Sequence, residues 1–589
     1  MKNDKKVNKK TYVVNEKHNK VLLITLILLT FISFYKFPDK IILDDGLIFG
    51  TMLDGHIPSF KLIDWYPRHL IYNNIAKLFY FTLNSVNNSY ENGYVVLQLM
   101  NNIYGFFGAI IFCMFLYFKS SKLYKSILFT MILIYSYGYW SRATEGQVYM
   151  SSIFWVLAAF CFVQHYIEKK SLNKVLIGSV LLTLMAIYHH ITNVLLVVPI
   201  FISYLLIEDR IKGIKYSLFY LGSIFAGIVI PYALIFNLYS INSFIVFFKG
   251  HGETHLAYTD IGSKFTISYM MIVLKNLVFP VIFVTRNKLM SVLSFGVVLV
   301  LIYGWWLFVI KKGYSFYKQF PSYVALILIY SGFFYFWYPD TPWFWIIPFF
   351  PVVLIAFYGF MLDDISTEKK KMKWAIIVLS IILLLFNNLI YGVYYNSKEE
   401  NNIGLQMAKY IADNIPKESA VIVAGQGSRF NGDRFYLMLI YSQSRISFYD
   451  GLLGYSKNDF FNILNSMVLE YIREKKYVYT TNTIKEDQVY KHFNKLFKVN
   501  QEDFEKYFYS NYIFIPIAAE NRLDLKIYQV FQKSDDRTLN VLLRDYAKSY
   551  IKQGFYKNAY SLYNNIPEQF MNSEDKKIMK VFENTGEMP

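Results

Sequence analysis

Long, nearly uninterrupted apolar runs recur along the first two thirds of the chain, separated by short polar or basic stretches. They lie near 21–37, 94–118, 122–139, 147–166, 174–188, 191–207, 214–239, 289–310, 321–337, 343–361 and 374–395. Each is close to the roughly 20 residues that carry a helix across the hydrocarbon core of a bilayer. A further apolar stretch, ISYMMIVLKNLVFPVIFVT at 267–285, is interrupted by Lys275, Asn276 and Pro280. It predicts a re-entrant or interfacial segment, because non-helical backbone at membrane depth survives only where protein or a cavity satisfies it. After 396 the pattern changes. Short β-like runs, AVIVAG (420–425), KYVYTT (476–481) and YIFIPI (512–517), alternate with amphipathic stretches. The predicted architecture is a polytopic α-helical membrane region of about eleven transmembrane helices over 21–395. An α/β domain follows over 396–535, with a helical hairpin over 536–589 whose spacing resembles one unit of a helical repeat. Repeat arrays need about three units, so a single copy reads as a capping pair.

Composition agrees with this. The 589 residues are 55% hydrophobic and 17% charged, against about a quarter charged in soluble domains. Mean hydropathy is +0.28. The net charge of +18 is not a nucleic-acid signal, because much of it sits in lysine clusters between apolar runs. Those clusters orient the chain. The N-terminal tail 1–20, with seven lysines, and the basic loops Lys119–Lys125, Lys169–Lys174, Arg210–Lys215, Lys311–Lys318 and Lys369–Lys373 fall on one side if there are eleven crossings. That places the N-terminus in the cytoplasm and the C-terminal domain outside. The two cysteines, Cys113 and Cys161, lie inside apolar runs, so no disulfide framework is implied. No small-residue cleavage site follows the first run, which reads as an uncleaved span.

This topology collects the suggestive polar groups on the outer face. The first outer loop (38–93) carries Asp44, Asp45, Asp54, Asp64 and Arg68. Paired acids there either trim or cap a helix end or work in a site. Arg142 and Glu145, in WSRATEGQVYM, are three apart and share a helix face. Such a pair is costly at the membrane and faces a cavity or a partner, unless the arginine snorkels to a surface mate. His189 and His190 occupy the turn YHHITN, either as an interfacial polar turn or as ligands. Asp340 sits in WYPDTPW among aromatics that also suit an ordinary interfacial belt. The long outer loop 240–288 contains Lys249 and the run His251-Gly-Glu-Thr-His255. Its residue types could ligate a metal, but loop polarity accounts for them and no metal is assigned.

These residues resemble the GT-C superfamily of polytopic glycosyltransferases, most closely the protein O-mannosyltransferase-like transmembrane branch. The likeness rests on Asp44-Asp45-Gly46 after the first span, Trp65-Tyr66-Pro67 further along that loop, Glu145-Gly146-Gln147-Val148-Tyr149 opening a span, and His190-Ile191-Thr192. WYPRH departs from the His-Pro-Pro-Gly-like stretch of that branch, and Glu145 and Tyr149 stand two residues further apart than in its motif. The resemblance covers about 1–395 and leaves the sugar open.

It implies a cell-membrane enzyme that takes a sugar from a polyprenyl-phosphate donor and gives it to an acceptor hydroxyl, on protein Ser/Thr or on a cell-surface glycan or lipid. An acceptor hydroxyl needs a carboxylate to take its proton, a role that falls to Asp44, with Asp45 second. The departing lipid phosphate needs cations or hydrogen-bond donors. Arg142, with Arg68, His189, His190 and Lys249, is the candidate set. Glu145, Tyr149 and Asp340 support it. The resemblance leaves room for a divalent cation, as in some relatives. A transporter or flippase of lipid-linked sugars is the alternative, although no internal repeat supports it and the polar clusters lie at span ends. A sensor whose outer domain does the binding is a third reading.

Overall fold

The computed structural model describes residues 21, 24–25, 27–39, 49–50, 53, 68–86, 93–167, 171–243, 266–267, 269–271, 280–283, 288–313, 317–337, 345–362, 367–417, 419–424, 444–448, 456–474 and 477–585. Asp44, Asp45, Asp54, Asp64, Lys249, Asp340, the tail 1–20 and most of 240–288 lie outside these residues. The chain divides into two compact units, Met1–Ile41 with Ser59–Lys398, and Ile42–Pro58 with Glu399–Pro589.

The first unit is helical. In chain order it contains α1 (Ile27–Lys36), α2 (Tyr72–Val86), α3 (Gly93–Ser120), α4 (Leu123–Ile134), α5 (Tyr137–Thr144), α6 (Tyr149–Tyr166) and α7 (Leu172–His189). Then follow α8 (Val197–Leu205), α9 (Arg210–Phe236), α10 (Gly296–Ile310), α11 (Phe320–Trp337), α12 (Ile346–Met361) and α13 (Thr367–Asn387). Among the described residues five helices are long and apolar enough to cross a membrane, and α5 with α6 forms one further candidate bent by 120°. Shorter apolar helices, among them α1, α4 and α12, complete the bundle. Their length and composition make this a polytopic membrane protein. Helices α10 and α12 cross closely because Gly304 and Gly359 face each other. A Cβ on Gly359 would overlap the Gly304 carbonyl oxygen.

Three local features differ from the apolar pattern. The run 122–139 is not one helix. It stops at Ile134, and α5 begins after Ser136. The run 191–207 opens as a 3-10 turn, Ile191–Leu196, before α8. The last span passes from α13 into a π-helical turn, Asn388–Val393. Such π turns are rare and cluster at functional positions.

Within the 267–285 stretch, the described residues 280–283 are not helical. Several of their backbone groups are paired within the protein. The Tyr137 and Gly138 amides donate to Val281 O at 3.1 Å and Pro280 O at 2.8 Å. Asn388, in the π turn, accepts from the Phe283 amide at 2.9 Å and donates to Val281 O at 2.8 Å. Non-helical backbone in such surroundings requires this kind of internal pairing.

The second unit is α/β. Among the described residues five strands, β1 (Ala420–Val423), β2 (Ser444–Ser447), β3 (Val478–Thr481), β4 (Tyr512–Glu520) and β5 (Leu525–Gln532), form one sheet ordered β2-β1-β3-β5-β4. The pairs β1–β2 and β1–β3 are parallel, while β3–β5 and β4–β5 are antiparallel. Fully buried β1 and β3 read as short unbroken apolar or β-branched runs, as parallel strands do. The C-terminal region holds three helices where the sequence suggests a hairpin: Asp536–Gln553, Tyr556–Asn564 and Ser573–Thr585. Gly554, at φ +80°, ends the first of them in the left-handed cap that glycine favours. An ion pair between Arg544 and the fully buried Asp575, at 2.8 Å, ties the first of these helices to the third.

Candidate functional site

The polar residues of the first unit gather where α5 breaks from α6. All eight residues of α5 are buried. Gly105 on α3 makes this close approach tolerable, since a Cβ there would sit 2.7 Å from that of Ala143. Arg142 lies in the last turn of α5 and Glu145 just beyond its end. Their side chains form an ion pair, and Arg142 Nη1 also donates to Gln147 Oε1 at 3.0 Å. Arg142 is 5% exposed and Glu145 fully buried. The cation occupies the negative end of α5, and the anion precedes the positive end of α6, so both helix dipoles favour the arrangement.

The break is held open by two amide side chains three apart on α3, hence on one face. Gln98 Nε2 donates to Asp39 O at 2.7 Å and to Thr144 O at 3.0 Å. Asn101 Nδ2 donates to Glu145 O at 2.6 Å and to Gln147 O. Gly146 donates its amide to the Tyr94 hydroxyl at 3.2 Å and lies against that ring, where any Cβ would overlap it. The end of the first span joins the same cluster. The Asp39 amide donates to Thr144 O at 3.0 Å. Asn396, just past the π turn, donates to Asp39 Oδ2 at 3.4 Å and to the Tyr137 hydroxyl at 3.1 Å.

A second cluster is built on a backbone clamp. The Ile191 amide donates to Arg68 O at 3.0 Å, and the Ile71 amide donates to Tyr188 O at 3.2 Å. This pins the end of the first outer loop to the histidine turn. His69 Nδ1 donates to His189 O at 2.9 Å, and its ring meets that of His190 edge-on at 4.8 Å. His190 Nδ1 accepts from the Thr192 amide and hydroxyl, at 3.3 and 2.6 Å, which leaves its proton on Nε2. Tyr149, opening α6, has its ring 5.7 Å from that of His190, so the motif residues after the break approach the histidines. Burial holds His69 down to about 4, against an ordinary value of 6.5, with Arg68 adding to the effect and the bond to His189 opposing it. Burial pushes His190 well below the usual range as well, with His69 and Arg68 beside it. Both rings are therefore neutral at pH 7.

His189 is differently placed. Its Nδ1 donates to Met185 O at 2.8 Å, and its Nε2 accepts from Trp155 Nε1 at 3.3 Å, with the Tyr104 hydroxyl at 3.4 Å. Both ring nitrogens thus serve the packing of α3, α6 and α7.

The structure thus joins Arg142 with Glu145, and Arg68 with His69, His190 and Tyr149. The sequence reading missed Asp39, His69, Asn73 and Lys77. The buried face of α2 carries Tyr72, Asn73, Ala76 and Lys77. The available signal was the spacing 72, 73, 76, 77, which sets an asparagine and a lysine on the packed side of an amphipathic helix. Among the described residues no group of three metal-ligating side chains comes together. An apolar cavity of about 440 Å³ lies elsewhere in the unit, lined by Val281, Leu301, Trp305, Ile327, Trp345 and Phe349 with Ser331.

Helices bent and ordered in this way recur in solved structures. The structure of ArnT from Cupriavidus metallidurans in the apo state is similar with a TM-score of 0.58 at 9% identity, covering 87% of this chain and 98% of that one. The same protein bound to undecaprenyl phosphate is similar with a TM-score of 0.54 at 9% identity, over 86% and 97%. No family model matches the chain, and no curated protein matches it in sequence. At this identity the likeness is one of fold.

Proposed function

We infer that the chain is a membrane glycosyltransferase that moves a sugar from a polyprenyl-phosphate donor to an acceptor hydroxyl on the outer face of the cell membrane. The observation that carries this reading is the buried Arg142–Glu145 pair at the α5–α6 break, set in a fold shared with a protein solved with undecaprenyl phosphate. A buried ion pair that breaks a membrane helix is costly, and such groups mark sites.

In the reaction the acceptor oxygen attacks the anomeric carbon and the bond from that carbon to the phosphate oxygen breaks. Asp44, with Asp45 as its neighbour, takes the acceptor proton, and polyprenyl phosphate leaves. A carboxylate close to the anomeric carbon also favours oxocarbenium character. The developing phosphate charge falls to Arg68, Lys77, Arg142 and Lys249. Arg is suited to bidentate contact with it, and neutral His190 can donate from Nε2. His189 serves by fixing the turn. Glu145 orients Arg142, with Tyr149 and Asp340 in supporting roles. The apolar cavity suits an isoprenoid chain, and the α/β unit suits acceptor binding. The acceptor class is protein Ser/Thr or a cell-surface glycan or lipid, with a hexose such as mannose as the transferred sugar.

The test is release of free polyprenyl phosphate by purified protein in lipid discs, given polyprenyl-phosphate sugars and cell-envelope extract. Release by wild type and its loss in Asp44→Asn support the reading. No release from any donor by well-folded wild type rejects it, and full turnover by Asp44→Asn rejects the base.

A further inference from the structure

Asn73 is 4% exposed, and neither its amide nitrogen nor its amide oxygen has a hydrogen-bond partner. An orphaned buried polar atom costs stability, and native proteins leave few of them. Here two fall on one side chain. Asn73 directly follows Tyr72, whose ring stands 6.5 Å from His69 and 6.4 Å from His189. Lys77 lies one turn further along the same buried face. The orphan amide is therefore borne by the helix that leads out of the clamp joining Arg68 to the histidine turn.

The two orphan atoms restrict the ligand. A phosphate oxygen only accepts, so it could serve the Asn73 nitrogen and would leave Oδ1 unmatched. An isoprenoid chain could serve neither. A hydroxyl donates and accepts, and satisfies both. Asn101 and Asn102, on the neighbouring α3, also keep Oδ1 atoms without partners. Acceptors of this kind suit further hydroxyls. Lysine and arginine nearby would take the phosphate, so the carboxamides are left for the sugar.

We propose that Asn73 is a specificity residue that reads a hydroxyl of the donor sugar, a role that rests on the transferase reading above. The amide, unpaired within the protein, becomes paired when the sugar arrives. Residues kept at a cost in stability for the sake of function give a distinct signature. Replacing Asn73 by leucine, which branches at the same atom, removes both orphan atoms. The protein should then be at least as stable, while its grip on the sugar fails.

The experiment measures binding rather than turnover. Full-length protein in lipid discs is titrated, by native mass spectrometry, with bare undecaprenyl phosphate and with undecaprenyl phosphate carrying mannose, glucose, galactose or N-acetylglucosamine. Wild type is expected to prefer at least one sugar-bearing lipid over the bare one. Asn73→Leu should lose at least tenfold of that preference, keep its affinity for the bare lipid, and melt no lower than wild type. Wild-type preference retained in Asn73→Leu overturns the proposal, since the amide then holds a trapped water only. A variant that melts lower or fails to insert overturns it as well, because an orphan amide would not have been holding the fold. Wild type that binds no sugar-bearing lipid better than the bare one overturns it without touching the identity of the base, which the Asp44→Asn turnover assay reads separately.

Discussion

Arg142 and Glu145 form a buried ion pair across the end of α5, the cation inside the helix and the anion just beyond it. Removing one partner of such a pair strands a charge in the interior, a loss of about 3–5 kcal/mol. Glu145→Ala should therefore lower thermal stability sharply in detergent or lipid discs. The double change Arg142→Met with Glu145→Leu should recover most of that loss, because apolar replacements of both partners are nearly neutral. It should stay inactive in donor turnover. A double variant as unstable as Glu145→Ala would show that the pair is not the source of the effect.

The neutral state of His69 ties stability to pH. Its folded-state value is about 4 against 6.5 for an ordinary histidine, so the unfolded chain binds the proton more readily. The contribution is fully present above about pH 6.5 and is lost progressively as pH falls toward 4, on the order of 3 kcal/mol in all. Melting temperature followed from pH 7.5 to 4.5 should fall, and should fall less steeply in His69→Gln. Equal slopes for the two proteins would remove His69 as the titrating group.

Asn388 holds the non-helical segment 280–283 through two of its backbone groups, Val281 O at 2.8 Å and the Phe283 amide at 2.9 Å, and also donates to Tyr135 O at 2.8 Å. Asn388→Leu leaves Val281 O with the Tyr137 amide as its partner but strips the Tyr135 carbonyl and the Phe283 amide of this partner, and each unpaired buried group costs about 1–3 kcal/mol. The variant should lose several kcal/mol. A cysteine placed at Phe283 should react faster with a membrane-impermeant thiol reagent in that background than with Asn388 intact. Unchanged labelling would show that the segment is held by packing alone.

The sequence by itself determined the membrane class and where its apolar helices fall. Apolar runs near 20 residues have one stable outcome in a bilayer, and composition alone reports them. Runs at 420–425, 476–481 and 512–517 became β1, β3 and β4, because short β-branched or aromatic runs carry their own signal. Strands β2 and β5 were not legible. SRIS and LKIYQVFQ are short or mixed in polarity, and pairing with β1 and β3 decided them. The spacing of Arg142 and Glu145 was visible in one dimension, and the sequence left open whether the two share a site or mark a surface. Tertiary structure supplied the 120° bend at 145–148 and the amide clamp from Gln98 and Asn101. It also paired Arg68 with Ile191, residues more than a hundred positions apart. Hydropathy cannot see these, since a lone Asn or Gln inside an apolar run looks like a flaw until its partners arrive from another helix. Hydrogen bonding finally separated the two histidines. His189 has both nitrogens engaged in packing, whereas His190 keeps its proton on Nε2, a distinction set by which carbonyls and hydroxyls the fold brings to each ring.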